Sequence, residues 1–166
     1  MSQDVSSLSE ILDSAETVDR QRAAQSLATL GDQARAAAVA LVRSCGDPDE
    51  SVREWSVAAL EEIGAPDPAD VQELISLIHA DSEDVSFWAV TLLGRLGESG
   101  SGGVQALAGV LANHSRLSVQ QRAAWALGRL GPVAATALPA LQAAAAGADA
   151  RLARLAQRSI DQIQQT

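Results

Sequence analysis

Residues that could do covalent or metal chemistry are few in this chain of 166 residues. It holds two histidines, His79 and His114, and a single cysteine, Cys45. Metal ligation needs convergent histidine, cysteine or carboxylate side chains, and the histidines are far apart in sequence, with no His-Glu dipeptide. A lone cysteine excludes an intrachain disulfide and a cysteine-based zinc site. We therefore expect no catalytic centre, no metal and no cofactor, in a chain that is not an enzyme.

Side chains suited to recognising a partner belong to two residue classes. The aromatics are Trp55, Phe87, Trp88 and Trp125, with no tyrosine, and all twelve basic residues are arginine. Tryptophan and arginine are enriched at binding hot spots, and their side chains stack on each other. These residues predict a protein or peptide partner with apolar and acidic character.

Charge is distributed unevenly along the chain, whose net charge is −9. Residues 1–98 hold 19 acidic residues and 6 arginines, a net charge of −13, whereas residues 99–166 hold 2 and 6, a net charge of +4. A globally acidic protein repels nucleic acid at long range, which disfavours that partner. The longest apolar run, 36–42, is far shorter than the ~20 residues of a membrane helix, and residues 1–10 lack the pattern of a secretory signal. We expect a cytoplasmic protein that binds no membrane.

A repeat of about 33 residues organises the sequence and positions these side chains. Glycines recur at Gly31, Gly64, Gly97 and Gly131, each after a matching apolar stretch. A second series, spaced in the same way, comprises Leu8, Leu41, Leu74, Leu107 and Leu141. Each repeat then forms two amphipathic helices, A and B, which bury their apolar stripes by stacking on neighbouring repeats. We predict a single domain, 1–166, with repeats at about 1–31, 32–64, 65–97, 98–131 and 132–166.

Short polar motifs predict where the helices begin and end. The first four B helices each end in one of the recurring glycines, where a left-handed cap residue is needed. The segments 47–49 (DPD), 67–68 (DP) and 81–83 (DSE) mark turns and helix starts. Residues 97–103 (GESGSGG) are predicted to form a wider loop and a flexible joint.

The segment 47–64, DPDESVREWSVAALEEIG, resembles the short HEAT-like repeat known from phycobilisome bilin lyases and many other proteins. The Asp-Pro turn, the Val52-Arg53 pair, the small residues at 56 and 57, and Gly64 carry the resemblance. It implies an all-α, right-handed α-solenoid of five helix-turn-helix repeats. The family's recurrent arginine falls on Arg20 and Arg53, where a structural bond to a turn aspartate or carbonyl is expected; Ser86 and Gln120 replace it later.

In similar solenoids the B helices line a concave surface, and their outward positions form a binding groove. A helical wheel places all four aromatics and several arginines there. Trp55 and Trp88 share a repeat position at the boundary with the core, so they are open to both packing and binding. We predict a non-catalytic scaffold or adaptor that binds a protein or peptide through Arg22, Glu54, Trp55, Phe87, Trp88, Arg95, Arg122, Trp125, Arg129, Arg154 and Arg158.

Two other functions are weighed against this prediction. In a bilin-lyase-like protein the groove would hold a tetrapyrrole against tryptophan, with arginines pairing its propionates. A HEAT-like DNA glycosylase would use groove tryptophan, arginine and aspartate. The only groove carboxylates here are Glu54 and Glu62, and lysine is absent, which leaves that class as the more remote alternative.

Overall fold

The computed structural model describes residues 4–165 and contains only helices within that range. Short A helices alternate with longer B helices, which confirms the predicted all-α helix pairs. The A helices are α1 (Val5–Ile11), α3 (Ala38–Ser44), α5 (Val71–Leu77), α7 (Val104–Asn113) and α9 (Leu138–Ala145). The B helices are α2 (Thr17–Leu30), α4 (Glu50–Glu62), α6 (Glu83–Arg95), α8 (Leu117–Leu130) and α10 (Ala150–Gln164). Short 3₁₀ helices lie at Gly31–Ala37, Pro68–Asp70, Gly97–Gly103 and Gly131–Ala137.

The chain divides into two compact units, Met1–Asp67 and Pro68–Thr166. In the first unit, helices α2 and α4 pack side by side, and α1 and α3 cover one flank of this pair. Leucines of both helix types fill its core, including Leu27, Leu41 and Leu60. Cys45 is fully buried in α3's apolar stripe, as its repeat position predicts.

The second unit packs its three B helices in chain order, with α8 between α6 and α10. Helices α5, α7 and α9 lie against them. The core again consists of leucine, valine and alanine, with Leu93, Leu107 and Leu127 fully buried. Small core residues let the B helices approach closely, and this brings their outward side chains within contact distance.

Glycine ends three of the first four B helices in the predicted manner. Gly31, Gly97 and Gly131 have φ of 54°, 56° and 69°, in the left-handed region that favours glycine. The prediction is wrong for Gly64, because α4 ends in extended backbone at Ile63. There the Gly64 N–H donates to Asp32 Oδ1 at 2.9 Å, and a Cβ would lie 3.1 Å from that oxygen. At this position a Cβ would crowd the Asp32 carboxylate, whereas the φ of Gly64 does not require glycine.

The flexible joint predicted at 97–103 is replaced by the 3₁₀ helix Gly97–Gly103. Gly100 and Gly103 are buried in it. A Cβ on Gly100 would lie 2.8 Å from Leu130 Cδ2 and 2.9 Å from the carbonyl oxygen of Leu93. The glycines of this segment therefore permit tight packing against α6 and α8.

Polar bonds to the turns confirm the structural role predicted for the recurrent arginine. Arg20 Nε donates to Asp47 Oδ2 at 2.7 Å, and Arg53 Nη1 donates to the carbonyl oxygen of Asp47 at 2.7 Å. In the later repeats, Ser86 Oγ donates to the carbonyl oxygen of Ala80, and Gln120 Nε2 donates to that of His114. The shorter substitutes satisfy a turn carbonyl as arginine does, but they bring no positive charge.

Candidate functional site

Helices α8 and α10 run side by side in the same direction and form the walls of the candidate site. Near their first turns, Gln121 Nε2 donates to Asp149 Oδ1 at 3.1 Å. Further along, Ser159 Oγ donates to the carbonyl oxygen of Ala124 at 2.7 Å. The helices approach closely at Gly128, where a Cβ would lie 2.9 Å from Ser159 Cβ. This packing fixes the outward side chains of both helices relative to each other.

Two hollows follow one another along the groove between these helices, called here the α8–α10 groove. The first hollow has a volume of about 340 Å³ and is lined by Phe87, Ser118, Gln121, Arg122, Trp125, Arg151 and Leu155. The second hollow has a volume of about 140 Å³ and is lined by Trp125, Arg129, Leu155, Arg158, Ser159 and Gln162. Because both hollows share Trp125 and Leu155, an apolar wall separates two polar ends.

Aromatic rings from two helices hold Arg122 at the first hollow. Its Cζ lies 4.3 Å from the ring centroid of Phe87 and 4.9 Å from that of Trp125. Both distances are within cation–π range, in which the ring face attracts the guanidinium. Arg122 makes no ion pair with any residue in the described range. The rings orient this cation without neutralising it.

The electrostatics of the first hollow favour an anion. Burial lowers the pKa of Arg122, and the nearby charges of Arg95 and Arg151 lower it further. No acidic side chain lines either hollow. The carboxylate of Glu83 accepts from Ser118 Oγ and, at 3.0 Å, from Arg116 Nη1, and these bonds lower its pKa. That carboxylate is already bound to Ser118 and Arg116, and it lines neither hollow.

Trp88 lies inside the second unit, whereas Trp55 of the first unit is exposed. The exposed fractions are 8% for Trp88 and 38% for Trp55, although both occupy the same repeat position. Arg95 Cζ lies 5.5 Å from the Trp88 ring centroid, and the Phe87 ring meets the Trp88 ring edge-on at 6.0 Å. Trp88 is thus packed among its neighbours, and a role for it in binding stays a prediction. It supports Phe87 and Arg95 from below the groove.

The predicted residues of the first unit are surface residues there. Arg22 and Glu54 are exposed, as is Trp55. Arg22 lines a hollow of about 290 Å³ together with Ile11, Ser14, Asp19 and Ala23. The lining of the α8–α10 groove includes none of these residues, and their role in binding stays a prediction.

The predicted set lacks several residues that line the two hollows, namely Ser118, Gln121, Arg151, Leu155, Ser159 and Gln162. On α10, Arg151 and Arg154 can be compared directly. Both are exposed, but only Arg151 lines a hollow. At ~100° per residue, Arg154 lies about 140° around α10 from Ser159, which contacts α8, whereas Arg151 lies about 80° away. The sequence signal for Arg151 is its repeat position. Arg151 and Leu155 on α10 are four residues apart and correspond to Ser118 and Arg122 on α8.

The two histidines, separated in sequence, meet in the structure. Their ring centroids are 5.7 Å apart with the ring planes 15° from parallel. They line a hollow of about 340 Å³ that also includes Asp81, Asn113 and Arg116. His79 and His114 follow consecutive A helices, a position that could have indicated their proximity. Across residues 4–165, no group of three histidine, cysteine or acidic side chains is arranged to hold a metal ion.

Within the described range, every helix is too short or too polar to cross a membrane.

Comparison with known proteins identifies the repeat. The family model described as HEAT repeats matches residues 5–94 and, in a second overlapping placement, 71–161. No curated protein sequence matches the chain significantly.

Solved structures with the same architecture include natural and designed repeat proteins. The complex of CpcE and CpcF of phycocyanin lyase from Nostoc sp. PCC7120 is 21% identical, with a TM-score of 0.66, and the match covers 100% of this chain and 67% of that one. A designed armadillo repeat protein in complex with the peptide (KR)4 is 20% identical, also at 0.66, over 96% and 82% of the two chains. An engineered protein is 22% identical at 0.65, over 96% and 79%. These likenesses confirm the predicted solenoid fold.

Proposed function

The chain belongs to the HEAT repeat family, and we propose that it is a non-catalytic scaffold or adaptor that binds an acidic segment of a partner protein in the α8–α10 groove. The observation that carries this proposal is the state of Arg122. It is partly buried, fixed between two aromatic rings, repelled by Arg95 and Arg151, and without an ion-pair partner in the described range. A carboxylate from a partner would supply the missing charge.

The geometry at Arg122 favours a carboxylate over a hydroxyl or an amide. Arginine presents two parallel N–H groups that bind a carboxylate through paired, charge-assisted hydrogen bonds. Water is partly excluded around this side chain, which strengthens such a bond. Stacking on Phe87 and Trp125 restricts the guanidinium before the ligand arrives, so less conformational freedom is lost on binding.

The apolar wall adds a second requirement. Trp125 and Leu155 are both partly exposed and face both hollows. A buried aromatic anchor flanked by polar contacts is the usual composition of a binding hot spot. A partner segment with an apolar side chain next to an acidic one would cover this wall.

The related structures support a binding role in general terms. One of them is a designed repeat protein in complex with the basic peptide (KR)4, and another is a complex of two different chains. The α8–α10 groove has arginines at both ends and no lining carboxylate. If this fold presents a peptide surface here too, the charge of the groove selects an acidic peptide.

Fluorescence anisotropy with a dye-labelled peptide of sequence AAELAEAA tests the proposal. Arg122→Gln is expected to weaken binding about tenfold or more, because tenfold corresponds to only ~1.4 kcal/mol and truncated charge pairs commonly cost more. Arg154→Gln removes the same charge from α10 outside both hollows and is expected to change the affinity less than about twofold.

Three results would contradict the proposal. The first is an AAQLAQAA peptide that binds as tightly as AAELAEAA. The second is equal weakening by Arg122→Gln and Arg154→Gln, which would indicate unspecific charge attraction. The third is no binding of the acidic peptide at all. Addition of a free bilin in parallel separates the lyase-like alternative, which requires a shift of the bilin absorbance that our proposal does not expect.

A further inference from the structure

We infer that the α8–α10 groove reads the spacing between two acidic side chains, and that it selects an extended segment with carboxylates three residues apart and an apolar side chain between them. This inference rests on the proposed function and adds the pattern that the partner must carry. It is drawn from the order of basic and apolar groups along the two parallel helices.

Basic side chains mark both ends of the groove at matching heights. Arg122 on α8 and Arg151 on α10 line the first hollow, and Arg129 and Arg158 line the second. On each helix the two arginines are seven residues apart, which corresponds to about 10 Å along the axis. Two binding points for carboxylates are therefore separated by about 10 Å.

The region between these points is apolar. Trp125 and Leu155 belong to both hollows and lie between the basic ends along their own helices. No charged side chain lies between them in the lining of either hollow. An apolar ligand side chain fits here, whereas an acidic one would lose hydration without gaining a cation.

The width of the groove favours an extended ligand over a helix. Adjacent packed helices have axes about 8–10 Å apart, whereas a helix with its side chains is about 10–12 Å across. A ligand helix would rest on the rims without filling the hollows. An extended chain of the polyproline II type rises about 3.1 Å per residue with three residues per turn, so residues i and i+3 point the same way about 9 Å apart. The residue after i is rotated by about 120°, so its apolar side chain packs on the side wall of the groove between the two carboxylates.

The arginines at the two ends of the groove differ in how strongly neighbouring side chains restrict them. Arg122 lies between the rings of Phe87 and Trp125, whereas Arg129 is exposed. The first hollow is also the larger of the two. The carboxylate at the first hollow is thus expected to contribute more to affinity than the one at the second.

Titration calorimetry with the full chain and three peptides of identical composition tests the spacing. AAELAEAA places the glutamates three residues apart, AAEELAAA one apart, and AEALAAEA five apart. We expect the first peptide to bind about five- to tenfold more tightly than either isomer. Equal affinities for all three would overturn the spacing inference and leave the proposed function intact, whereas no binding by any of them would overturn both.

A double-mutant cycle locates the second binding point. Arg129→Gln in the protein is paired with AAELAQAA and with AAQLAEAA. We expect Arg129→Gln to weaken AAELAEAA about threefold or more and to have almost no further effect on one of the two single-glutamate peptides. Equal weakening of all three peptides would overturn the assignment of Arg129 to the second carboxylate. Circular dichroism of Arg129→Gln checks that this exposed substitution leaves the helices unchanged.

Discussion

Arg20 of the first compact unit and Arg122 of the second have different kinds of partner. In the first unit, Arg20 is bonded through Nε to Asp47 at 2.7 Å and through Nη1 to the carbonyl oxygen of Ser14 at 2.9 Å. The side chains of this ion pair are only 12% and 9% exposed. In the second unit, Arg122 is held by ring faces and repelled by other arginines. One cation is neutralised inside the fold and the other is not.

This difference teaches that the partner of an arginine, more than its exposure, separates a structural role from a binding role. Arg20 follows the turn residues of its own repeat and bonds to those of the next, so its charge contributes to folding. Arg122 lies two positions further along in the repeat frame and points to the groove. Its charge is free to contribute to association with an anion.

The residue type at one position of the B helices also differs between the two units. Gly94 on α6 lies so close to Ala126 and Trp125 of α8 that a Cβ at this position would clash with both residues. The corresponding positions of the first unit carry Ala28 and Glu61. The same pair of helices carries Phe87 of α6 and Arg122 of α8, whose ring centroid and Cζ are 4.3 Å apart.

The largest effect on stability is expected from Gly94→Ala, which introduces at the α6–α8 contact the alanine that position 28 of the first unit carries. In Gly94→Ala the new Cβ would lie 2.8 Å from the Cα of Ala126 and 2.8 Å from Trp125 Cζ3. Overpacking of this kind lowers the free energy of unfolding by about 2 kcal/mol. Urea denaturation followed by circular dichroism measures the change.

Gly109→Ala provides the matched control for this substitution. Gly109 lies within α7, and a Cβ there would meet nothing within 4 Å. Because alanine is the better helix former, the variant is expected to gain up to about 1 kcal/mol. If both glycine substitutions shift the free energy of unfolding in the same direction, the result contradicts the expectation that a Cβ at position 94 clashes with α8.

Arg20→Gln is expected to have the next largest effect. It removes the cation from the nearly buried carboxylate of Asp47 and the donors from the Ser14 carbonyl. An unpaired buried charge is strongly destabilising, so the melting temperature should fall clearly. Arg22→Gln, which changes an exposed neighbour on α2, should leave the melting temperature nearly unchanged. Equal melting temperatures for the two variants would contradict the role assigned to the turn bonds.

Acid is expected to weaken the first unit through its bound aspartates. Hydrogen bonds from Gln21 and from the Val52 N–H lower the pKa of Asp49, and those from Arg35 and the Gly64 N–H lower the pKa of Asp32. A pKa lowered by folding contributes stability above the ordinary value of 3.8, and this contribution is lost as the pH falls through the folded value.

Thermal melts between pH 7 and pH 2.5 measure this loss. The melting temperature of the parent chain should fall below about pH 4. Asp49→Asn should be less stable at pH 7 and show a shallower fall. A parallel fall in both chains would show that Asp49 contributes nothing to the acid sensitivity.

The smallest effect on stability is expected from Arg122→Gln. The substitution removes no ion pair in the described range, and it relieves repulsion with Arg95 and Arg151. The loss of two cation–π contacts is opposed by the relief of this repulsion, so the free energy of unfolding should fall by no more than about 1 kcal/mol, while binding of the acidic peptide weakens about tenfold. A destabilisation similar to that of Arg20→Gln would place Arg122 with the structural arginines.

Periodicity explains how much of the fold was predictable. Apolar residues repeat every 33 or 34 positions because each helix pair meets the same surroundings, so helix type and order follow from spacing alone. The prediction of a left-handed cap at Gly64 was wrong because its repeat position matches that of Gly31, whereas its N–H group donates to the side chain of Asp32. Asp32 lies 32 residues before Gly64 in the sequence, so the local pattern around Gly64 does not reveal this contact.

The site was less predictable because it depends on how adjacent repeats meet. Trp55 and Trp88 share one repeat position, yet one is exposed and the other is buried. Arg151 was not predicted because it lies in the first turn of α10, where the preceding repeat carries Ser118 in place of an arginine. The Phe87–Arg122–Trp125 stack joins two repeats, so its 4.3 Å and 4.9 Å contacts are set by the packing of α6 on α8 and are absent from the sequence of either helix alone.

The glycine packing has a consequence for modular engineering of this chain. Gly94 and Gly128 occupy equivalent positions on α6 and α8, and each faces a small residue of the next helix, Ala126 or Ser159. A second copy of residues 98–131 inserted after the first would therefore set Gly128 against the alanine of the copy without a clash. The lengthened array would carry one more tryptophan and two more outward arginines, and it would extend the acidic pattern that a ligand has to display.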